Sequence, residues 1–199
     1  MKQHPLEITL LYYSNEGREV SFTDLANDRD RMDASHYEPS AFWNISGGFE
    51  VTLNGHATIF HSCNFYCLVK ATSFLIHSLY WIKGKTSDWF DVDDDFPNDV
   101  LIHPTPGTLL RLKKANTTDL SFSYLPTDKT YEPKRGDRYF SDINFNSAAW
   151  FEQTNLALSE YFNILKLVLA ERNKSDRLVE TMTAYLKVWQ NISNMPINN

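Results

Sequence analysis

Phe49-Glu-Val-Thr-Leu-Asn-Gly-His-Ala-Thr-Ile-Phe60 is the stretch on which the fold turns. Phe49, Val51 and Leu53 alternate with Glu50 and Thr52, the period of a half-buried strand. Asn54-Gly55 then supplies the pair that tolerates positive φ in a tight turn, and His56 to Phe60 returns alongside. This predicts a β-hairpin, and a hairpin commits its sheet to antiparallel pairing.

Upstream, Leu6 to Ser14 predicts a strand, with Ile8, Leu10 and Tyr12 on one side and Leu11 and Tyr13 on the other. Residues 15 to 40 are polar, show no sustained period and read as a long connection. Downstream, Phe65 to Ile82 is strongly apolar, but Lys70 and His77 interrupt it, whereas a spanning helix wants about 20 nearly uninterrupted apolar residues. The expectation is a helix buried on most faces and lying across the sheet, with Lys70 and His77 exposed.

Leu109 to Lys113 and Leu120 to Tyr124 predict two further strands joined by the turn Asn116-Thr-Thr-Asp119. A loop from 126 to 142 follows. Trp150, Thr154, Leu158, Phe162, Leu165 and Leu169 then recur at helical spacing, with Ser147 as expected N-cap and an end near Asn173. Ser175 is placed to cap a second helix, striped by Leu178, Met182, Tyr185 and Trp189 and stopping before Pro196. The C-terminal helical part thus spans about 146 to 192. Without βαβ alternation, the order predicts an α+β fold in one domain, residues 1 to 199. It combines a mainly antiparallel sheet of hairpins, a long apolar helix packed on it, and two C-terminal helices.

The chain has 199 residues, 42% of them hydrophobic, enough for a substantial core. Its N-terminus lacks the apolar region of a secretory signal, and its two cysteines, Cys63 and Cys67, suit a reducing compartment, so a cytoplasmic location is expected. The sequons at Asn44, Asn116, Asn173 and Asn191 carry no weight without secretion.

Charge is concentrated in one place. Asp88-Trp-Phe-Asp-Val-Asp-Asp-Asp-Phe-Pro-Asn-Asp99 holds six aspartates and no base, and without it the remaining acids and bases balance at 19 each. Such a field attracts a cation or a basic protein and repels nucleic acid. Three readings are open for this segment: a solvated loop, a divalent-metal site, or a protein-binding patch. For the last, the candidate residues are Asp88, Trp89, Phe90, Asp91, Asp93, Asp94, Asp95, Phe96 and Asp99. The interleaved aromatics favour the patch over the metal site, because an interface gains buried area from rings and steering from charge.

Several motifs fail on their spacing. Gly84-Lys-Thr86 lacks the glycine five residues earlier that a phosphate loop needs, since Leu79 stands there. Asp91, Asp93 and Asp95 mimic an EF-hand, but Phe96 and Ile102 occupy its glycine and glutamate positions. Arg135-Gly-Asp137 reads as turn chemistry. His61, Cys63 and Cys67 have zinc-type donors, with the cysteines at i, i+4 of a helix, yet a fourth ligand is missing. The competing reading makes both cysteines small buried residues. No cofactor is called for.

Phe49-Glu-Val-Thr-Leu-Asn-Gly55, the helix through Tyr80-Trp81, Asp88-Trp-Phe-Asp91 and Leu109-Leu-Arg-Leu112 follow one another in an order that resembles small bacterial immunity proteins, the partners of secreted toxins. The likeness is architectural and covers about half the chain. It implies a non-enzymatic protein that occludes a toxin, often by setting an acidic surface against a basic active site, and it assigns no individual residue a role. The expectation is therefore a protein-binding protein with a basic protein partner, no nucleic acid and no membrane. The alternatives are a metal-dependent hydrolase using Asp91, Asp93, Asp94 and Asp95 with His103, or a small-molecule pocket lined by aromatics.

Overall fold

The computed structural model describes residues 6–14, 17–27, 38–53, 57–65, 67–90, 96–127, 139–170, 172–173 and 175–195. The α+β class holds, with the strands divided between two four-stranded antiparallel sheets. The first comprises β1 (Leu6–Tyr13), β2 (Glu19–Ser21), β3 (Gly47–Leu53) and β4 (Ala57–Phe65) in the order β2-β1-β3-β4. The second is a meander of β5 (Val100–Ile102), β6 (Thr108–Lys114), β7 (Asp119–Pro126) and β8 (Phe140–Asn146).

The founding hairpin pairs Leu53 with Ala57 and Val51 with Phe60, while its Asn54-Gly55 turn lies outside the described residues. Gly48 is required beside it, since a Cβ there would collide with the Ser62 carbonyl. Residues 15 to 40, expected to be a connection, carry β2 and the short helices α1 (Phe22–Asn27) and α2 (Pro39–Trp43). Phe22 of α1 and Phe42 of α2 are fully buried, and Trp43 of α2 packs on Tyr185. Helices of six and five residues are too short to establish a period, which is why the sequence pattern missed them.

The apolar helix α3 (Leu68–Ile82) starts three residues later than expected, because Phe65 stays in β4, paired with Gly47 and packed on Phe49. Lys70 is exposed as anticipated; His77 is instead half-buried beneath Phe90. Gly84 ends α3. It takes φ +61, its N–H donates to the Trp81 carbonyl, and the Lys85 N–H donates to that of Tyr80, the paired bonds of a glycine helix stop. This is the structural role of the glycine in Gly84-Lys-Thr86.

Besides β2, two strands escaped the pattern. β5 has only three residues, and β8 changes phase at Asp142, a non-glycine residue at φ +57. Asp142 holds that conformation by accepting from Lys113 Nζ at 2.6 Å and Ser121 Oγ at 2.9 Å, while its N–H donates to Ser123 Oγ at 3.0 Å. The Lys113 contact also sets its carboxyl below the usual range.

The C-terminal helices are α4 (Ser147–Leu169) and α5 (Arg177–Ser193). Their caps sit one residue from the expected ones. Asn146 Oδ1 accepts from the Ala148 and Ala149 amides, and Asp176 Oδ1 from those of Leu178 and Val179. The stripes face inward as read: Trp150, Thr154, Leu158, Phe162, Met182 and Tyr185 are all fully buried.

One hydrophobic cluster joins both sheets to α3, α4 and α5. Phe60 of the first sheet meets Phe122 and Tyr124 of the second, and Phe122 continues to Trp150 at 5.3 Å. The Trp150 indole N–H donates to Ser78 Oγ at 2.9 Å, which gives a buried donor its partner.

Candidate functional site

The acidic segment leaves the end of α3 and returns to β5, and its ends contact α3, α5 and β6. At the departing end Ser87 organises a tight turn: its hydroxyl accepts from the Trp89 N–H and its carbonyl from that of Phe90. Phe90 then stacks on His77, rings 4.9 Å apart and nearly parallel, and touches Tyr80. Burial under this ring pushes the His77 imidazole below its ordinary pKa, since desolvation penalises the charged form. Trp89 packs one side against Tyr185 at 5.6 Å and remains 38% exposed.

The returning end is held by a charge. Arg111 directs Nε and Nη2 at Asp99 Oδ2, at 2.6 and 2.5 Å, and lays its guanidinium over the Phe96 ring at 4.8 Å. The Trp81 indole N–H donates to the Asn98 carbonyl at 3.0 Å. Phe96 nevertheless stays 38% exposed.

The nine candidate residues therefore divide. Asp88, Trp89 and Phe96 are exposed, whereas Phe90 and Asp99 serve the protein's own packing. Asp91, Asp93, Asp94 and Asp95 lie outside the described residues. Trp81, His77, Tyr185 and Arg111, which hold the segment's ends, were not picked out from the sequence. Arg111 had a signal, being a cation opposite the buried Leu110 and Leu112 in an apolar strand and 12 residues from Asp99.

Elsewhere, the helical face proposed for the two cysteines does not form. Cys63 belongs to β4 and Cys67 precedes α3, so they do not share a helical face; the strand's hold on Phe65 separates them. Cys67 is a free thiol, and the Cys63 side chain lies outside the described residues. His61 turns toward carboxylates, its Nε2 2.8 Å from Glu19 and its Nδ1 2.9 Å from Glu50. Nδ1 of His103, the partner assigned to a hydrolytic site, is engaged with the Thr108 carbonyl at 2.7 Å. Among the described residues, no three His, Cys, Asp or Glu side chains gather in a way that could hold a metal ion. Nor is any described helix long and apolar enough to cross a membrane.

No protein-family model matches this chain, and no curated protein or solved structure matches it either.

Proposed function

We propose that this protein binds another, basic protein through the segment 88 to 99, in the manner of an immunity protein neutralising a toxin. The observation that carries the reading is the placing of Trp89 and Phe96. Both are exposed, they flank Asp91 to Asp95 in the chain, and each is braced from beneath, by Tyr185 and Arg111 respectively. A partly exposed ring already held in place loses little conformational entropy on binding, so more of its buried area appears as affinity. The neighbouring aspartates would steer a cationic surface toward the rings. The support beneath both aromatics favours this reading over that of a solvated loop.

The test is isolation of a stoichiometric complex from the native host at low and high salt. The bait is the wild-type chain, compared with Trp89→Ala/Phe96→Ala and with a variant carrying Asn at Asp91, Asp93, Asp94 and Asp95. The expected result is one basic partner, its capture weakened by salt and lost in both variants, and a toxin with a basic active site is the first class to try. A partner retained equally by all three baits would overturn the reading.

A further inference from the structure

The first sheet has an edge that the acidic segment does not explain. β2 lies beside β1 only at Leu11, Tyr12 and Tyr13, so among the described residues no strand covers Leu6 to Leu10 on that side. The Tyr13 N–H donates toward β3, to the Ser46 carbonyl at 2.9 Å, and that of Ser14 toward β2, to Arg18. Alternation along the strand then points the N–H and C=O of Leu6 and Ile8 away from β3, to the side where no described strand pairs with them. Unpaired strand edges of this kind are templates for strand addition.

Beside the edge runs a groove of about 320 Å³, bounded by Leu6 to Thr9 on one wall and by Gln153, Leu156, Ala157 and Glu160 of α4 on the other. A hydrogen bond of 2.7 Å from Thr23 to Glu160 ties α1 to α4 beside it. The four α4 residues occupy one helical face, and in their midst Leu156 is 56% exposed, the largest exposure of any large hydrophobic side chain among the described residues. Glu7 and Glu160 are the charged residues of the lining, and neither a lysine nor an arginine joins them.

We infer that this groove takes an extended peptide segment of another protein, which adds to the first sheet alongside Leu6 to Thr9 and alternates apolar with basic side chains. Main-chain bonds to Leu6 and Ile8 provide the pairing, and side chains on the α4 side of the added strand rest on Leu156. Those on the other side meet Glu7, which selects lysine or arginine. The same charge argues against a second copy as occupant, since pairing β1 with itself brings Glu7 near its own counterpart.

The experiment uses the full chain with Asp91, Asp93, Asp94 and Asp95 changed to Asn, so that a basic probe is not drawn to the acidic segment. The probe is a synthetic heptapeptide alternating Lys with Val or Leu. Its controls are the same peptide with a central proline and a version with Glu for Lys. Anisotropy gives affinity, and amide exchange of Leu6 and Ile8 gives location. The expected result is saturable binding by the basic peptide alone, slowed exchange at both amides, and at least tenfold weaker binding to a Glu7→Lys/Leu156→Lys variant. Equal binding of the proline peptide, or unchanged exchange at Leu6 and Ile8, would sink the proposal. So would protection that grows with protein concentration in the absence of peptide, which would identify a second copy as the occupant.

Discussion

Thr72 Oγ1 and Tyr185 Oη lie 2.7 Å apart in the core, brought together across 113 residues of chain. Thr72 also donates toward the Leu68 and Val69 carbonyls of its own helix, and Tyr185 reaches Ser73 Oγ at 3.1 Å. Through this one hydroxyl, α5 is keyed to the first turns of α3, at the level where Trp43 and Trp89 also meet the Tyr185 ring. Burial pushes the phenol well above its ordinary range, so it stays protonated and available as a donor.

Tyr185→Phe keeps the ring contacts and removes the bond. Thr72 and Ser73 retain other options, so the loss should be about 1–2 kcal/mol, the worth of a buried hydrogen bond. Urea unfolding monitored by tryptophan fluorescence measures it, with an unchanged m-value showing that the native state is otherwise intact. A stability equal to wild type would show that the network does not hold α5.

Tyr161→Phe should act in the opposite direction. Its ring is packed between Phe22 and Phe42, but its buried hydroxyl has no hydrogen-bond partner among the described residues. A buried unsatisfied hydroxyl is a cost, so its removal should leave stability unchanged or raise it by up to about 1 kcal/mol. The pair of Tyr→Phe variants, measured under one set of conditions, separates bonded from unbonded phenols. A clear loss in Tyr161→Phe would mean that its hydroxyl finds a partner after all.

The hairpin around Val51 and Phe60, the stripes of α4 and α5 and the strands β6 and β7 were legible because each repeats its period several times. What escaped did so for local reasons. Phe65 opens an apolar run that periodicity cannot divide between a buried strand and a helix, and its pairing with Gly47 decided the matter for the strand. β8 hid behind the phase change at Asp142, and α1 and α2 are one to two turns long, too short to show a period. Asn146 and Asp176 displaced the expected caps by one position because neighbouring residues were also competent to cap. At the candidate site, the acidic run and its three interleaved aromatics were plain from composition, but not that Phe90 would turn inward onto His77 while Trp89 and Phe96 stay exposed. The supports beneath them come from three distant elements, and only the folded chain brings them there.

Asp99→Asn tests whether the ion pair fastens the returning end of the acidic segment. Arg111 is partly exposed, so water recovers some of the lost interaction, and the cost should be about 1 kcal/mol. A local reporter is more telling: the Trp81 indole proton, bonded to the Asn98 carbonyl, should shift and exchange faster in the variant. Arg111→Lys should do the same, because a lysine cannot direct two N–H groups at one carboxylate oxygen. An undisturbed indole proton in both variants would assign the fastening to Phe96 and the backbone instead.

His77 makes stability depend on pH at the other end of the same segment. Its folded pKa lies below the ordinary 6.5 because Phe90 and α3 keep water from the ring, so the unfolded chain binds the proton more readily. The stability associated with the neutral ring is fully present above about pH 6.5 and is lost progressively as pH falls toward the folded value. Replacing His77 by Gln removes this titration while leaving the other histidines in both proteins. Urea midpoints measured from pH 8 to pH 5 should therefore fall more steeply for the wild type than for His77→Gln. Because a charged imidazole calls for the water that Phe90 keeps away, amide exchange at Trp89 and Phe90 should accelerate over the same range in the wild type. Parallel pH profiles for the two proteins would mean that the ring is hydrated in solution and that Phe90 does not cover it.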